Sequence, residues 1–221
     1  MLIEYGNIID IQINKICHAA AQKIKAQQLP FVRDIIPAYA SVAVEYDFVL
    51  TAAYFKTTDT VKALTAYLEN LLVDTAKQPL ANNRRIKIPV CYELGLDNET
   101  IAAAKNISTD TLVQKHTEQI YQVFMLGFLP GFAYMGLVDE KIEMPRQSSP
   151  RKKIEPGCVG IAGRQTGIYP LASPGGWNII GRTPLNMFDV TDENICLLKP
   201  GDEIEFYPIT LQEFENIKNG H

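Results

Sequence analysis

The feature that most constrains this 221-residue chain is how unevenly its turn-forming residues are spread. Twelve of the 14 glycines and nine of the 13 prolines lie after residue 120. Glycine opens backbone conformations that other residues avoid, and proline removes a ladder donor, so the second half must turn often. Segments such as GCVGIAG, TGIYP, WNIIGR and ICLLKPGDEIEFYPI are short, with turn residues and no helical pattern between them. They predict brief strands that curl into a closed or nearly closed β-barrel.

The first half alternates cleanly instead. Residues 8–12, IIDIQ, predict a strand, and NKICHAAAQKIKAQQL a helix with Asn14 as N-cap and Ile16, Ala20 and Ile24 on one face. FVRDIIPAYASVAVEYD predicts two extended pieces broken at Pro37, where Val42, Val44 and Tyr46 alternate with Ala43 and Glu45. TTDTVKALTAYLENLLVD predicts a helix capped by Thr58 or Asp59, with Val61, Leu64, Leu68, Leu71 and Leu72 as its apolar stripe. RRIKIPVCYE predicts a further strand. The order β-α-β-β-α-β is the ferredoxin-like plan, two helices covering an antiparallel sheet.

The polar linker TAKQPLANNRR, residues 75–85, marks the boundary. An α+β domain at 1–84 and a β-barrel domain at 85–221 follow, with strand 86–92 fitting either side. Short helices are expected after Asn98 and after Ser108, the latter an N-cap.

Composition narrows the function. A formal net charge of −4 argues against a general nucleic-acid binder. No apolar run is long enough to span a membrane, and MLIEYGNIIDIQ lacks a secretory signal's cationic and apolar regions. Cys17, Cys91, Cys158 and Cys196 are scattered, as reduced cysteines of a cytoplasmic protein would be. With isolated His18, His116 and His221 they form no metal-ligand spacing, so no metal site is expected in this chain.

Charge is segregated. Between Met144 and Phe188 the basic residues are Arg146, Arg151, Lys152, Lys153, Arg164 and Arg182, and the single acid is Glu155. That segment carries a formal +5 while the rest of the chain carries −9. Such a concentration suits a phosphate or carboxylate, and arginine presents a planar fork to either. The same residues also suit a solvated loop, or pairing with acids elsewhere.

Two further runs stand out. GFLPGFAYMGL, residues 127–137, sets Phe128, Phe132 and Tyr134 among glycines, either as walls of a small apolar pocket or as a barrel-end seal. AGRQTGIYPLASPGGW, residues 162–177, places Arg164, Gln165, Thr166, Tyr169 and Ser173 on rigid turns, where binding groups often sit. Neither GxxxxGK[ST], GxGxxG nor GxSxG occurs. His116, on an expected helix beside the aromatic run, is either a core histidine or an acid/base group.

Taken together, YQVFMLGFLPGFAYMGL, PRQSSPR and GIAGRQTGIYPLASPGGWNIIGRTPLNMFD resemble one family. It includes the B subunit of bacterial 5-oxoprolinase (PxpB), the sporulation kinase inhibitor KipI, the first subunit of allophanate hydrolase and part of urea amidolyase. IIPAYASVAVEYD and IPVCYELGLD extend the likeness over nearly the whole chain, although Glu45 stands where members often carry histidine. The resemblance implies an N-terminal α+β domain and a C-terminal cyclophilin-like β-barrel. It also implies partners: a barrel-like C subunit (PxpC-like) and an A subunit of the LamB/YcsF type. Together these would open 5-oxoproline to glutamate with ATP, accompanied by Mg2+, at a site shared with the partner.

On that reading Arg146, Arg151, Arg164 and Arg182 are anion-binding candidates. Gln165, Thr166, Tyr169 and Ser173 orient the ligand, and His116 is a candidate acid/base group. A KipI-like inhibitor of a histidine kinase, and a component of urea or allophanate metabolism, are the alternatives the same resemblance carries.

Overall fold

The computed structural model describes residues 1–75 and 84–220. The chain divides into two compact units, Met1–Asn82 and Asn83–His221. Most of the expected linker, residues 76–83, lies outside the described residues.

The first unit contains β1 (Leu2–Glu4), α1 (Ile11–Ala26), β2 (Val32–Pro37), β3 (Ser41–Tyr46), α2 (Phe48–Phe55) and α3 (Thr60–Leu72). Its antiparallel sheet runs in the order β1-β3-β2. Val42 and Val44 of β3 pack with Ala20 and Ile24 of α1 and Leu64 and Leu68 of α3. The Pro37 break and the Asp59 cap are as expected, Asp59 Oδ1 accepting from the Lys62 amide.

Three expectations fail here. Residues 8–12 form no strand: the Asp10 carboxylate accepts from the Gln12 and Ile13 amides and starts α1 there. Asn14, expected as the cap, is fully buried and donates to the Ala38 carbonyl. Val61 of the proposed stripe is 56% exposed. The ferredoxin-like plan also lacks its fourth strand among the described residues, because 85–90 lies in the second unit.

The second unit holds β4 (Arg85–Val90), α4 (Asn98–Lys105), α5 (Thr109–Thr117), β5 (Ile120–Leu126), β6 (Ala133–Gly136), β7 (Arg151–Ile154), β8 (Cys158–Ala162), β9 (Gln165–Ile168), β10 (Ser173–Gly175), β11 (Asn178–Arg182), β12 (Glu203–Pro208) and α6 (Leu211–Lys218). Seven strands follow the order β11-β8-β9-β6-β5-β12-β4, and β10 pairs with β7 separately. The sheet curls until its edges meet at one antiparallel bridge. Cys91 and Arg182 exchange backbone hydrogen bonds of 2.8 and 3.0 Å there. Inside lie Ile88, Tyr121, Val123, Met135, Val159, Ile161, Ile180 and Phe206. Among the described residues no helix is long and apolar enough to cross a membrane.

Candidate functional site

The site grows from the two-faced character of the curled sheet. Ala133, Met135, Val159, Ile161, Ile168 and Ile180 point to the inner core. Their neighbours Phe132, Cys158, Ala162, Tyr169, Trp177 and Ile179 build a second cluster on the outer face. This is the two-residue alternation of a strand, with both faces covered.

Gly160 of β8 and Gly167 of β9 stand opposite one another. A Cβ on Gly167 would lie 3.0 Å from the Trp177 indole and 3.1 Å from Phe132, and one on Gly160 would lie 3.1 Å from Trp177 Cβ. The paired glycines are the shelf on which Trp177 rests. Phe132 is the hub above it, with ring centroids 5.5 Å from Trp177, 5.1 Å from Tyr169, 4.8 Å from Tyr134 and 5.6 Å from Phe128.

These rings open onto a pocket of about 260 Å³, which Arg146, Pro150 and Pro174–Trp177 complete. GFLPGFAYMGL and SPGGW therefore meet in space. Arg146 is exposed and forms no ion pair among the described residues. Burial pushes the Tyr169 phenol up to about 12, partly offset by the Trp177 amide and Arg146. Burial likewise raises Tyr134, with Arg146 opposing it. Both phenols stay protonated at neutral pH and can donate hydrogen bonds. The pocket thus offers aromatic walls, neutral donors and one positive charge, a set suited to a small ring bearing one carboxylate.

Gly175 leaves the space that Tyr169 uses: a Cβ there would fall on the phenol oxygen and 2.8 Å from Ile154 Cδ1. Gly175→Ala is therefore expected to displace the phenol and cost about 1–3 kcal/mol, read as a lower urea midpoint.

Sequence reasoning missed the residue that holds this wall in place. Asp97 is 5% exposed and receives Arg151 through both carboxylate oxygens, at 2.6 and 3.0 Å. It also accepts from Gln147 Nε2 at 3.0 Å and from the Ile179 amide at 2.6 Å. Gln147 and Arg151 flank the pocket residue Pro150 and follow Arg146, so one carboxylate anchors both ends of that segment to β11. An acid just before a helix reads only as an ordinary cap, and no local signal marks its distant partners.

The other residues singled out from the sequence do not converge on the pocket. Arg151 spends both terminal nitrogens on Asp97 and holds the pocket segment to it. Arg164 lies at the surface beside Glu140 and Glu143, at 3.4 and 4.0 Å. Arg182 donates through Nε to the Pro156 carbonyl at 2.7 Å and lines a different cleft. Gln165 opens β9 opposite Gly136 and Ala162. Ser173, at the β7–β10 pairing beside Pro174, buries a hydroxyl with no hydrogen-bond partner among the described residues.

His116 and Thr166 belong to the inner face. His116 is fully buried, 4.6 Å from the Phe206 ring centroid. Thr166 uses its proton on the Gly160 carbonyl at 3.1 Å, so its oxygen accepts from His116 Nε2–H at 2.9 Å. Nδ1 therefore accepts from the Tyr92 hydroxyl at 2.7 Å. Burial pushes the imidazole down to about 3, so it is neutral at physiological pH. With both nitrogens engaged and no exposure, His116 is placed as a core histidine in this geometry. Among the described residues no three His, Cys, Asp or Glu side chains are grouped to hold a metal ion.

The comparisons with known proteins agree with this architecture. The family described as the carboxyltransferase domain, subdomain C and D, matches residues 1–198. The chain is 38% identical to the 5-oxoprolinase B subunit of Bacillus subtilis (strain 168), over 99% of this chain and 92% of that protein. It is 44% identical to the 5-oxoprolinase B subunit of Escherichia coli O157:H7, over 57% of this chain and 59% of that one.

Among solved structures, TTHA0988 superposes with a TM-score of 0.81 at 30% identity, covering 95% of this chain but 39% of its own. The Pyrococcus horikoshii protein PH0987 matches at 38% identity and a TM-score of 0.58, over 96% and 95% of the two chains. The urea amidolyase of Kluyveromyces lactis shares the fold at 22% identity, with a TM-score of 0.75 over 99% of this chain and 15% of its own. By the span of the family match and the full-length likeness to a B subunit, this chain belongs to the carboxyltransferase-domain family, subdomains C and D.

Proposed function

We propose that this chain is the B subunit of an ATP-dependent 5-oxoprolinase, which opens 5-oxo-L-proline to L-glutamate, and that the aromatic pocket holds the lactam. The observation that carries the site is Arg146, a cation without an acidic partner among the described residues, beside neutral phenols on an aromatic floor. 5-Oxoproline presents complementary chemistry: a flat five-membered amide ring and one carboxylate. Full-length likeness to a 5-oxoprolinase B subunit supports the same substrate.

In this reading Arg146 pairs with the carboxylate and fixes the ring against Phe132 and Trp177. Tyr134 and Tyr169 donate to its polar edge. The lactam is a poor electrophile; transfer of the γ-phosphoryl group of ATP to its amide oxygen, with ADP leaving, would activate the carbonyl carbon for addition of water. The C–N bond then breaks, and hydrolysis of the resulting acyl phosphate releases glutamate and phosphate. A pocket below the roughly 300 Å³ of a typical drug-sized site does not enclose a whole nucleotide. ATP with Mg2+ is therefore assigned to a site shared with partners, a C subunit (PxpC-like) and a LamB/YcsF-type A subunit. The complex is cytoplasmic in this proposal, and the second unit is a cyclophilin-like barrel, a class that closure at Cys91–Arg182 supports.

The test is 5-oxoproline-stimulated ATP hydrolysis by the assembled complex. Arg146→Ala is expected to lower kcat/KM about 10- to 100-fold, mainly through KM, the value of one charge-assisted hydrogen-bond pair. Wild-type kinetics in a folded Arg146→Ala complex would move the substrate elsewhere.

A further inference from the structure

A second cleft, of about 170 Å³, lies on the other side of the segment that walls the aromatic pocket: Tyr169 lines the pocket, and the next residue, Pro170, lines the cleft. Arg182, at the end of β11, and Lys218, in the last turn of α6, both reach into it. They sit on one ring, Arg182 Cζ 5.9 Å and Lys218 Nζ 5.7 Å from the Phe214 centroid. Both residues line this one cleft, and like charges sharing a cleft repel each other unless an anion offsets them.

No acidic residue lines the cleft, and neither cation forms an ion pair among the described residues. Glu155, close enough to feel both charges, is held below the usual carboxylate range first by its bond to Lys153, 2.7 Å away. Among the described residues Arg182 donates only through Nε, to the Pro156 carbonyl, and neither terminal nitrogen of its fork has a partner. Pro156, Pro170, Pro184 and Leu185 add apolar wall, while Thr183 and Asn186 add neutral polar groups and no charge.

We propose that this cleft is a second binding site, for a phosphate group, held by the Arg182 fork and the Lys218 ammonium. Two positive charges lining one cleft that has no acidic lining residue suit a dianion, which a phosphate is near neutral pH and a monocarboxylate is not. The site is separate from the lactam pocket and does not rest on that assignment. Because Arg182 closes the barrel seam with Cys91 and Phe214 belongs to α6, a bound phosphate would tie the last helix to the seam.

The experiment is calorimetric titration of the full chain at constant ionic strength, with inorganic phosphate in one arm and ATP in the other. Saturable binding should weaken about tenfold or more in Lys218→Ala and in Arg182→Gln, since each removes one charged hydrogen-bond partner. Lys218 is exposed, so its variant tests the site without threatening the fold. Arg146→Ala should leave the isotherm unchanged. Tighter binding of ATP than of phosphate identifies a nucleotide as the source, and equal binding identifies free phosphate; either supports the site. The proposal is overturned by absence of saturable binding in both arms, by wild-type affinity in Lys218→Ala, or by loss confined to Arg146→Ala.

Discussion

Asp97→Ala is expected to destabilise the second unit by about 3 kcal/mol, the lower end of the range for breaking a buried pair. The lower end applies because the Arg151 side chain keeps 27% of its exposure while that of Asp97 keeps 6%. Three groups lose their acceptor together: the Arg151 guanidinium, the Gln147 amide and the Ile179 backbone amide. A half-buried guanidinium without its carboxylate is the most costly of them.

In a chain of this size that loss corresponds to roughly 6–12 °C in melting temperature. Asp97→Asn keeps acceptor capacity but not charge, so it should fall between the two. A second readout separates positioning from bulk stability. Segment 146–151 carries Arg146, so Asp97→Ala should raise the KM for 5-oxoproline below the melting range, and adding Arg146→Ala should worsen it little further. A loss under about 1 kcal/mol, or fully additive kinetic effects, would show that Asp97 does not organise the pocket wall.

The contrast between Asp97 and the aromatic run shows what the sequence makes legible. β3 is visible because one face is buried and the other is not, so Val42 and Val44 alternate with more exposed neighbours. β8 is buried at all five positions and carries no period, so its two faces cannot be told apart from sequence. α2 is hidden for a related reason: FVLTAAYF is apolar nearly all round, with Asp47 capping it through the Leu50 amide. GFLPGFAYMGL and SPGGW are each recognisable as unusual, but only the register of β6, β9 and β8 brings them into one pocket.

The charge segregation is equally legible, and misleading in its detail. A +5 segment suggests one convergent anion site, yet strand alternation and turns send its arginines to different places. Arg146 meets the aromatic rings, Arg151 meets Asp97, Arg164 meets surface glutamates and Arg182 meets Phe214. Linear charge density records how many cations a segment holds, not which face each one occupies.

Helix α5 buries His116 against Tyr121 and Phe206 of the core, and that burial makes stability depend on pH. An unfolded histidine titrates at its ordinary value near 6.5, while His116 in the fold is held at about 3. The unfolded state therefore binds the extra proton first as pH falls. The stabilising contribution is complete above pH 6.5 and is lost progressively as the pH drops toward 3, at up to about 1.4 kcal/mol per pH unit.

Protonation would also require Nδ1, which accepts from Tyr92, to become a donor facing a hydroxyl already oriented toward it. Trp177, the single tryptophan, lies in the second unit and reports on it directly by fluorescence during urea unfolding. Between pH 6.5 and 4.5 the wild-type midpoint should fall steadily. His116→Gln removes the imidazole, so its midpoint should start lower at pH 7 and decline less across the same interval. Taking the difference between the two proteins cancels the carboxylates and His18, which both share. Equal slopes would mean that the imidazole already carries its proton, or reaches water, in the folded protein, and the inward placement of His116 would then be wrong.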